Sequence, residues 1–267
     1  TVGRSCVAAK KVVPVLTEVL RSGYYPDDSN RRIINEEYHQ YIFIQEDRFK
    51  LLSGVARMNK GKSHFNGDNF LISRLECGKA IAAIADGMGS GKRAYIESRM
   101  VIELMENCID AGFDEKASID LINSAYIAGG GTGNPVTMDM SVIDCQSGYM
   151  HCMKLGAVST FIRRDKWVEI IQSTTLPMGV LEQVDYDCTT KKLYDGDYIV
   201  MVSDGVLDNI PCVNKEERMA QMIHALTIRE PSAMAEKLLE QSLAYNDMKA
   251  SDDCTVLVLG LFDTYEK

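Results

Sequence analysis

The periodicity of hydrophobic residues changes near residue 38. Before it, hydrophobic residues recur at the spacing of an α-helix: Val12, Val15, Leu16, Val19 and Leu20. Turn-forming residues at 26–30 then end this pattern. We therefore predict a helical regulatory or linker segment over residues 1–37 and a main domain over residues 38–267. The pattern leaves open whether the N-terminal helix regulates the main domain or only packs on it.

After residue 38 the period is two, which is typical of strands. Residues 41–44 and 49–56 flank a turn at Glu46-Asp47 and predict an antiparallel hairpin. Two further strands are expected over residues 69–75 and 79–85. The second of these is almost continuously apolar, as a strand buried on both faces should be. It leads directly into Asp86.

Two helical stripes follow, one ending at Gly112 and one at the glycine run that begins at Gly129. Strands return over residues 137–144, 149–154, 160–164, 167–171, 187–193 and 198–203. The tail predicts helices over 215–226 and 232–244, the second with Ser232 as its N-cap, and a strand over 255–262. Strands grouped before and after pairs of helices predict an α+β fold with layered antiparallel sheets.

The composition is that of a globular protein, with 267 residues of which 46% are hydrophobic and 25% charged. Apolar stretches reach only about nine residues, too short to cross a bilayer. The chain has 29 basic and 38 acidic residues, a net charge of −9. Because no block of Lys and Arg interrupts this excess, nucleic acid is not an expected partner. The acidic excess fits either a soluble surface or carboxylates that hold divalent cations.

The cysteines point to a reducing compartment. The eight cysteines include no C-x-x-C pair, and no histidine is placed near them to complete a zinc site, so a structural zinc is not expected. Several, such as Cys108 and Cys254, lie in apolar patterns where a free thiol behaves as a small hydrophobic group. The first residues lack the pattern of a signal peptide. We therefore expect a cytoplasmic location.

Three aspartates occur at the ends of apolar strands: Asp86, Asp204 and Asp252. A carboxylate in such a place is costly unless a positive charge compensates it, and a divalent cation is the usual partner. A turn aspartate that caps its own loop is the alternative for any one of them. Glycine follows two of the three, at Gly87 and Gly205, and it lets the backbone approach an ion. The repeated Asp-Gly form favours a metal site.

The run Gly89-Ser90-Gly91-Lys92 invites comparison with a phosphate-binding loop. The motif requires glycine five positions before Gly91, where this chain has Asp86, and Ser or Thr after Lys92, where it has Arg93. A nucleotide hydrolase of the P-loop type is therefore disfavoured.

Three ordered segments together resemble the metal-binding motifs of the 2C-type metal-dependent Ser/Thr phosphatases: residues 85–91, 203–208 and 252–255. Residues 67–70, residues 176–180 and the helix opening with Arg93-Ala94 further resemble the bacterial sporulation branch, the stage II sporulation protein E family. The resemblance covers about residues 51–261 and implies an αββα sandwich, in which helices flank two antiparallel sheets.

The resemblance also implies a site for two Mn²⁺ or Mg²⁺ ions. By it, Asp86 bridges both ions, Gly87 offers its carbonyl to one, Asp68 lies near that ion, and Asp204 and Asp252 hold the other. Asp86, Asp204 and Asp252 are the implied catalytic residues, and the attacking group is a water between the ions.

Several assignments stay open. Asp253 is an alternative ligand to Asp252 or a partner outside it. His64 is a candidate proton donor. The residues that could hold the substrate phosphate are Arg57, Lys60 and Lys62.

The implied function is hydrolysis of phosphoserine or phosphothreonine on a regulatory protein, by resemblance a phosphorylated anti-anti-sigma factor. The alternative is a catalytically silent module that keeps the fold and binds a phosphoprotein, although the four retained aspartates argue against it. The resemblance also allows a longer protein attached to the cytoplasmic face of a membrane. A homodimer is compatible with the sequence.

Overall fold

The computed structural model describes residues 6–35, 37–61, 63–75, 78–130, 134–165 and 167–264. The chain divides into two compact units, Thr1–Arg48 and Phe49–Lys267. Lys62, one of the candidate phosphate-binding residues, lies outside the described residues. No helix in the ranges above is both long and apolar enough to cross a membrane.

The described residues of the first unit form one α-helix, one 3₁₀ turn and four short strands. Its elements are β1 (Val7–Ala8), a 3₁₀ turn (Ala9–Lys11), α1 (Val13–Leu20), β2 (Tyr24–Pro26), β3 (Ile33–Ile34) and β4 (Phe43–Gln45). β1 pairs with β3, and β2 pairs with β4, both antiparallel. The helix predicted near the N-terminus is therefore present. It leaves Val15, Val19 and Leu20 exposed.

The second unit contains ten strands and five α-helices among its described residues. The strands are β5 (Phe49–Met58), β6 (Asp68–Arg74), β7 (Lys79–Gly87), β8 (Val136–Asp144), β9 (Tyr149–Leu155), β10 (Thr160–Arg164), β11 (Trp167–Ile171), β12 (Asp187–Lys192), β13 (Tyr198–Val202) and β14 (Cys254–Asp263). The helices are α2 (Lys92–Asp110), α3 (Glu115–Ala125), α4 (Asp204–Asp208), α5 (Lys215–Ala225) and α6 (Pro231–Leu243), with a π-helical turn (Tyr126–Gly130) after α3 and a 3₁₀ turn (Ala244–Asn246) after α6.

The ten strands form two five-stranded antiparallel sheets. Sheet 1 has the order β12-β9-β8-β7-β6, and sheet 2 has the order β11-β10-β13-β14-β5. Alternate residues of each strand enter different layers of the core because successive side chains point to opposite faces. In β7, for example, Ala83 packs toward α2 and α3, whereas Ile84 packs toward sheet 2.

Three layers of hydrophobic residues result. One lies between sheet 1 and helices α2 and α3, one between the two sheets, and one between sheet 2 and helices α5 and α6. The order helix, sheet, sheet, helix is the αββα sandwich that the sequence predicted, so the predicted fold class is confirmed.

The predicted hairpin of residues 41–44 with residues 49–56 is wrong. β4 pairs with β2, and β5 pairs along its whole length with β14, from Phe49 opposite Asp263 to Met58 opposite Cys254. A local turn at Glu46-Asp47 suggested the hairpin, but burial against the rest of the sandwich decides which strands pair.

The start of α6 also differs from the prediction. Ser232 is not its N-cap. Glu230 caps the helix instead, because its carboxylate accepts hydrogen bonds from the backbone N–H groups of Ser232 and Ala233, and Pro231 occupies the first turn.

Candidate metal centre

Strand ends from both sheets meet at one edge of the sandwich. In sheet 1, Asp68 at the start of β6 lies directly opposite Asp86 near the end of β7. In sheet 2, Asp204 follows the end of β13, and Asp252 and Asp253 precede β14. The negative charges of Asp68, Asp204 and Asp252 all act on Asp86. The structure therefore brings together the four aspartates that the sequence singled out.

Asp68 is fully buried. Neither of its carboxylate oxygens has a hydrogen-bond partner of normal geometry among the described residues. Burial raises the pKa of Asp68 to about 7, the hydroxyls of Thr255 and Ser203 oppose that rise, and the charges of Asp204 and Asp253 add to it. A buried carboxylate without a partner is costly, and such a group needs a proton or a cation.

Asp86 and Asp204 approach each other across the gap between the sheets. Burial, followed by the charges of Asp68 and Asp204, raises the pKa of Asp86 to about 10, and a hydrogen bond joins the Asp86 and Asp204 side chains. Burial is also the main reason why the pKa of Asp204 is raised. Carboxyl groups this close cannot both be ionised easily without a positive charge between them.

Glycines allow the strand ends to come this close. A Cβ atom on Gly87 would lie 2.3 Å from the carbonyl oxygen of Ala94 in α2, and one on Gly205 would lie 2.1 Å from the carbonyl oxygen of Asp253. Neither position can carry a side chain without moving backbone. The two glycines predicted to matter therefore have a steric role, and Gly205 holds the Asp204 segment against the Asp252-Asp253 segment.

The adjacent aspartates Asp252 and Asp253 have different surroundings. Asp253 is 3% exposed, and its two carboxylate oxygens accept hydrogen bonds from the backbone N–H groups of Lys60 and Gly67, each at 2.7 Å. Asp252 is half-buried, with the Lys60 Nζ 3.5 Å from its Oδ1. Asp253 thus anchors the loop before Asp68, whereas Asp252 faces the solvent side of the cluster.

The candidate phosphate-binding residues and the candidate proton donor, His64, also differ in their surroundings. The Arg57 guanidinium donates to the backbone carbonyl of Asp68 and stacks over the Phe70 ring, 5.5 Å from its centre. Burial lowers the pKa of Arg57 although nearby acidic groups oppose this. Lys60 keeps its ammonium group at the rim beside Asp252. His64 is exposed.

Ser203 and Thr255 lie in two of the motif segments, but the sequence assigned them no role. The Ser203 hydroxyl accepts from the Thr255 N–H at 2.9 Å, and the Ser203 N–H donates to the Thr255 carbonyl at 3.0 Å. This pair joins the end of β13 to the start of β14 and so holds Asp204 near Asp252. The sequence signal that could have indicated them is a hydroxyl residue close to each aspartate: Ser203 just before Asp204, and Thr255 two residues after Asp253.

The residues fit a hard divalent cation. In the described part of the chain, no three acidic, histidine or cysteine side chains form a ready-made group of metal ligands. Their chemistry nevertheless matches Mn²⁺ or Mg²⁺, because every donor is an oxygen and most are charged. The partnerless oxygens of Asp68 are the clearest sign of a missing positive charge.

An αββα sandwich with clustered aspartates at the edge between its sheets defines the PP2C class of phosphatase domains. A structure of the PP2C phosphatase domain of SpoIIE from Bacillus subtilis, with a fragment of its regulatory domain, matches 96% of this chain with a TM-score of 0.81 and 28% identity, and the match covers 75% of that chain. The sequence profile of the family described as Stage II sporulation protein E (SpoIIE) matches residues 77–262. The chain belongs to the stage II sporulation protein E family.

Two relatives and one more distant structure complete the comparison. The stage II sporulation protein E sequences of Bacillus subtilis (strain 168) and Priestia megaterium are each 30% identical over 253 residues, 94% of this chain. The chain spans only 31% and 43% of their lengths. RsbX in complex with magnesium shares the fold, with a TM-score of 0.61 at 20% identity over 81% of this chain and 97% of that one. The predicted class, a 2C-type serine/threonine phosphatase domain, is confirmed.

Proposed function

We propose that this domain uses Mn²⁺ or Mg²⁺ to hydrolyse phosphoserine or phosphothreonine on a regulatory protein. The observation that carries the proposal is the group of close carboxylates at Asp68, Asp86 and Asp204, whose pKa values are all raised by desolvation and by the charges of neighbouring aspartates. Two divalent cations would balance them. When bound, such ions lower the pKa of a water molecule and stabilise the charge on the phosphoryl oxygens.

The residues divide into two ligand groups. Asp86, on which the charges of the other three aspartates act, would contribute to both ions, and Asp68 and the Gly87 carbonyl would complete the sheet 1 side. The Gly87 carbonyl is suited to this because its oxygen lies close to Gly67, the residue just before Asp68. Asp204 and Asp252 form the sheet 2 side.

Asp253 is proposed to act through the loop that it anchors and not as a ligand. Both of its oxygens are already used by backbone N–H groups of that loop, at Lys60 and Gly67. Within the described ranges, Asp252 has one backbone contact of this kind, from the Asp253 N–H to its Oδ1 at 2.9 Å. Asp252 is therefore the better donor to an ion.

Lys60 is the proposed contact for the substrate phosphate. The Arg57 guanidinium is already engaged, because it donates to the Asp68 carbonyl and stacks on the Phe70 ring. The Lys60 ammonium stands at the rim, partly exposed and next to Asp252. From there it can pair with a phosphate that approaches the cluster, since an exposed ammonium is a flexible point charge.

The substrate and the cellular location are proposed from the family and from the free thiols. Membership of the stage II sporulation protein E family supports a phosphorylated anti-anti-sigma factor as the substrate. A cytoplasmic location is supported by the exposed free thiols of Cys6, Cys188 and Cys212, which persist in a reducing compartment. We also propose that residues 1–37 are a regulatory or linker segment, which deletion of the whole first unit, residues 1–48, would test by its effect on turnover and Mn²⁺ affinity.

Release of phosphate from p-nitrophenyl phosphate and from a phosphoserine peptide, with and without Mn²⁺, tests the main proposal. Turnover that depends on the metal supports it. The alternative, a silent phosphoprotein-binding module, predicts that the domain binds the phosphopeptide without releasing phosphate. A domain that neither binds Mn²⁺ nor releases phosphate contradicts the proposal.

A further inference from the structure

Two charged side chains face each other in the hydrophobic layer between the sheets. Asp139 of β8 and Lys154 of β9 are opposite each other in sheet 1, are 2% and 1% exposed, and form an ion pair with 2.6 Å between Nζ and Oδ2. Ionised groups buried this deeply are rare unless they are paired. The proposed reaction assigns no role to Asp139 or Lys154.

The pair is bonded to the opposite sheet. The Thr160 hydroxyl, at the start of β10 in sheet 2, donates to Oδ2 of Asp139. The Lys154 ammonium donates at 2.6 Å to the carbonyl of Val158, in the turn that leads into β10. Asp139, Lys154 and Thr160 thus form a polar link from sheet 1 to sheet 2, which we call the inter-sheet tie.

The inter-sheet tie lies next to the aspartate cluster. Asp86 pairs with Thr137 across β7 and β8, and Asp139 pairs with Ile84, so Asp86 and Asp139 are diagonal neighbours on the same face of sheet 1. Such neighbours are about 7 Å apart. A cavity of about 70 Å³ adjoins both, and Ser203 and Asp204 of sheet 2 line its other side.

Stability alone is a weak reason for this arrangement. Replacing a buried ion pair by apolar side chains of similar size is often neutral or stabilising, because the desolvation of two charges offsets their attraction. Apolar contacts between sheets are non-directional and leave the lateral offset of the sheets loosely defined. Hydrogen bonds are directional, so a bonded link fixes that offset.

We propose that the inter-sheet tie positions the metal centre. Asp86 belongs to sheet 1 and Asp204 directly follows strand β13 of sheet 2, so the separation of their carboxylates depends on how the sheets are offset. The inter-sheet tie fixes this offset at Asp139, the diagonal neighbour of Asp86. Asp139, Lys154 and Thr160 are therefore positioning residues, and the inference rests on the proposed function only in that the aspartate cluster binds divalent cations.

The test is the double variant Asp139→Leu/Lys154→Met, which removes both charges and roughly keeps the volume. We expect its midpoint of urea unfolding without metal to change little, because the removal of two buried charges offsets the lost hydrogen bonds of the Thr160 hydroxyl and the Val158 carbonyl. Its Kd for Mn²⁺, measured by calorimetry, should rise about tenfold, and kcat for p-nitrophenyl phosphate should fall more than KM changes.

The matched control is Ser141→Ala, since Ser141 is buried on the same face, two residues from Asp139, and its hydroxyl has no hydrogen-bond partner among the described groups. The control should bind Mn²⁺ as the wild type does.

If the double variant does not fold, the Kd for Mn²⁺ is measured instead on Thr160→Val, with Thr160→Ser as its control. Valine keeps the volume and deletes the bond to Asp139, whereas serine keeps the hydroxyl, so only the valine variant should lose Mn²⁺ affinity. Wild-type Mn²⁺ affinity and kcat in a folded double variant or in Thr160→Val overturn the proposal. The outcome is separate from that of the proposed function: if the wild type binds Mn²⁺ without phosphatase activity, the proposed function fails while the affinities still test the tie.

Discussion

Asp86 and Asp139 lie on the same face of the same sheet, one diagonal step apart, yet the charges around the two aspartates are opposite. Asp139 accepts bonds from a buried ammonium and a hydroxyl, at Lys154 and Thr160. The charged groups that act most strongly on Asp86 are other carboxylates, those of Asp68, Asp204 and Asp252. The chain balances one negative charge itself and leaves the other to be balanced from outside.

One face of sheet 1 therefore carries both a structural ion pair and a group of carboxylates that can bind a cation. Where the positive charge belongs to the protein, a buried aspartate becomes a fixed structural joint. Where it does not, several aspartates accumulate and repel one another until a proton or a cation binds between them. This contrast is the reason for interpreting the Asp86 cluster as a binding site and the Asp139 pair as its support.

The largest expected effect is that of Asp86→Asn. The change removes the carboxylate that both ions would share, so turnover with Mn²⁺ should fall on the order of 10²-fold or more. The metal-free domain should become no less stable, because a buried group that repels its neighbours is lost. Phosphate release and urea unfolding measure the two effects. Near wild-type turnover would show that Asp86 is not a shared ligand.

The second prediction concerns pH without added metal. The raised pKa of Asp68, about 7, means that between the ordinary value of 3.8 and about 7 the folded domain holds a proton that the unfolded chain has lost. By linkage, the free energy of unfolding should fall as the pH rises through this range; the stabilisation is complete below about pH 4 and is lost above about pH 7. The raised pKa of Asp86 extends the fall to higher pH.

Urea unfolding between about pH 5 and pH 8 measures this slope. Asp68→Asn should flatten it, and saturating Mn²⁺ should reverse it, since ionised carboxylates bind the metal better. A metal-free domain that gains stability over the same range would mean that the cluster is balanced by the chain, as Asp139 is.

The third prediction is that Asp204 and Asp252, 48 positions apart in the sequence, hold the same ion. Asp204→Asn and Asp252→Asn should each raise the Kd for Mn²⁺ about tenfold or more. The double variant should be little worse than the weaker-binding single variant, because the two changes act on one ion and are not additive. Calorimetric titration gives the three affinities, and fully additive losses would argue for separate ions.

The strand ends that carry chemistry could be predicted from the sequence because apolar runs end at Asp86 and Asp204 and another begins just after Asp252. The pairing of β5 with β14 could not, since it joins residues from opposite ends of the second unit and no local pattern encodes it. Nor could the sequence separate Asp252 from Asp253. Neighbours in an extended segment point in opposite directions, and only the fold decides which of them faces the loop at Lys60 and Gly67.

The inter-sheet tie left a weak trace in the sequence. Asp139 and Lys154 interrupt the apolar residues of two predicted strands, at positions that face each other if the turn at Ser147-Gly148 forms a hairpin. Charged residues at inward positions of adjacent strands suggest a buried pair. The bond to Thr160 across the sheets could not be inferred, because it depends on the stacking of the two sheets.

The smallest expected effect is that of Asp253→Asn, and it tests whether the two adjacent aspartates have different roles. The amide keeps one acceptor oxygen and places an NH₂ group against a backbone N–H, at Lys60 or Gly67, so one hydrogen bond is lost. The free energy of unfolding should fall by about 1–3 kcal/mol, the cost of an unsatisfied buried group. The Kd for Mn²⁺ should rise less than in Asp252→Asn, because the loop before Asp68 is loosened while every ligand remains. Urea unfolding and calorimetry on both variants measure the difference. Should Asp253→Asn lose more Mn²⁺ affinity than Asp252→Asn at unchanged stability, Asp253 is the ligand, and the loop anchor has to be sought elsewhere.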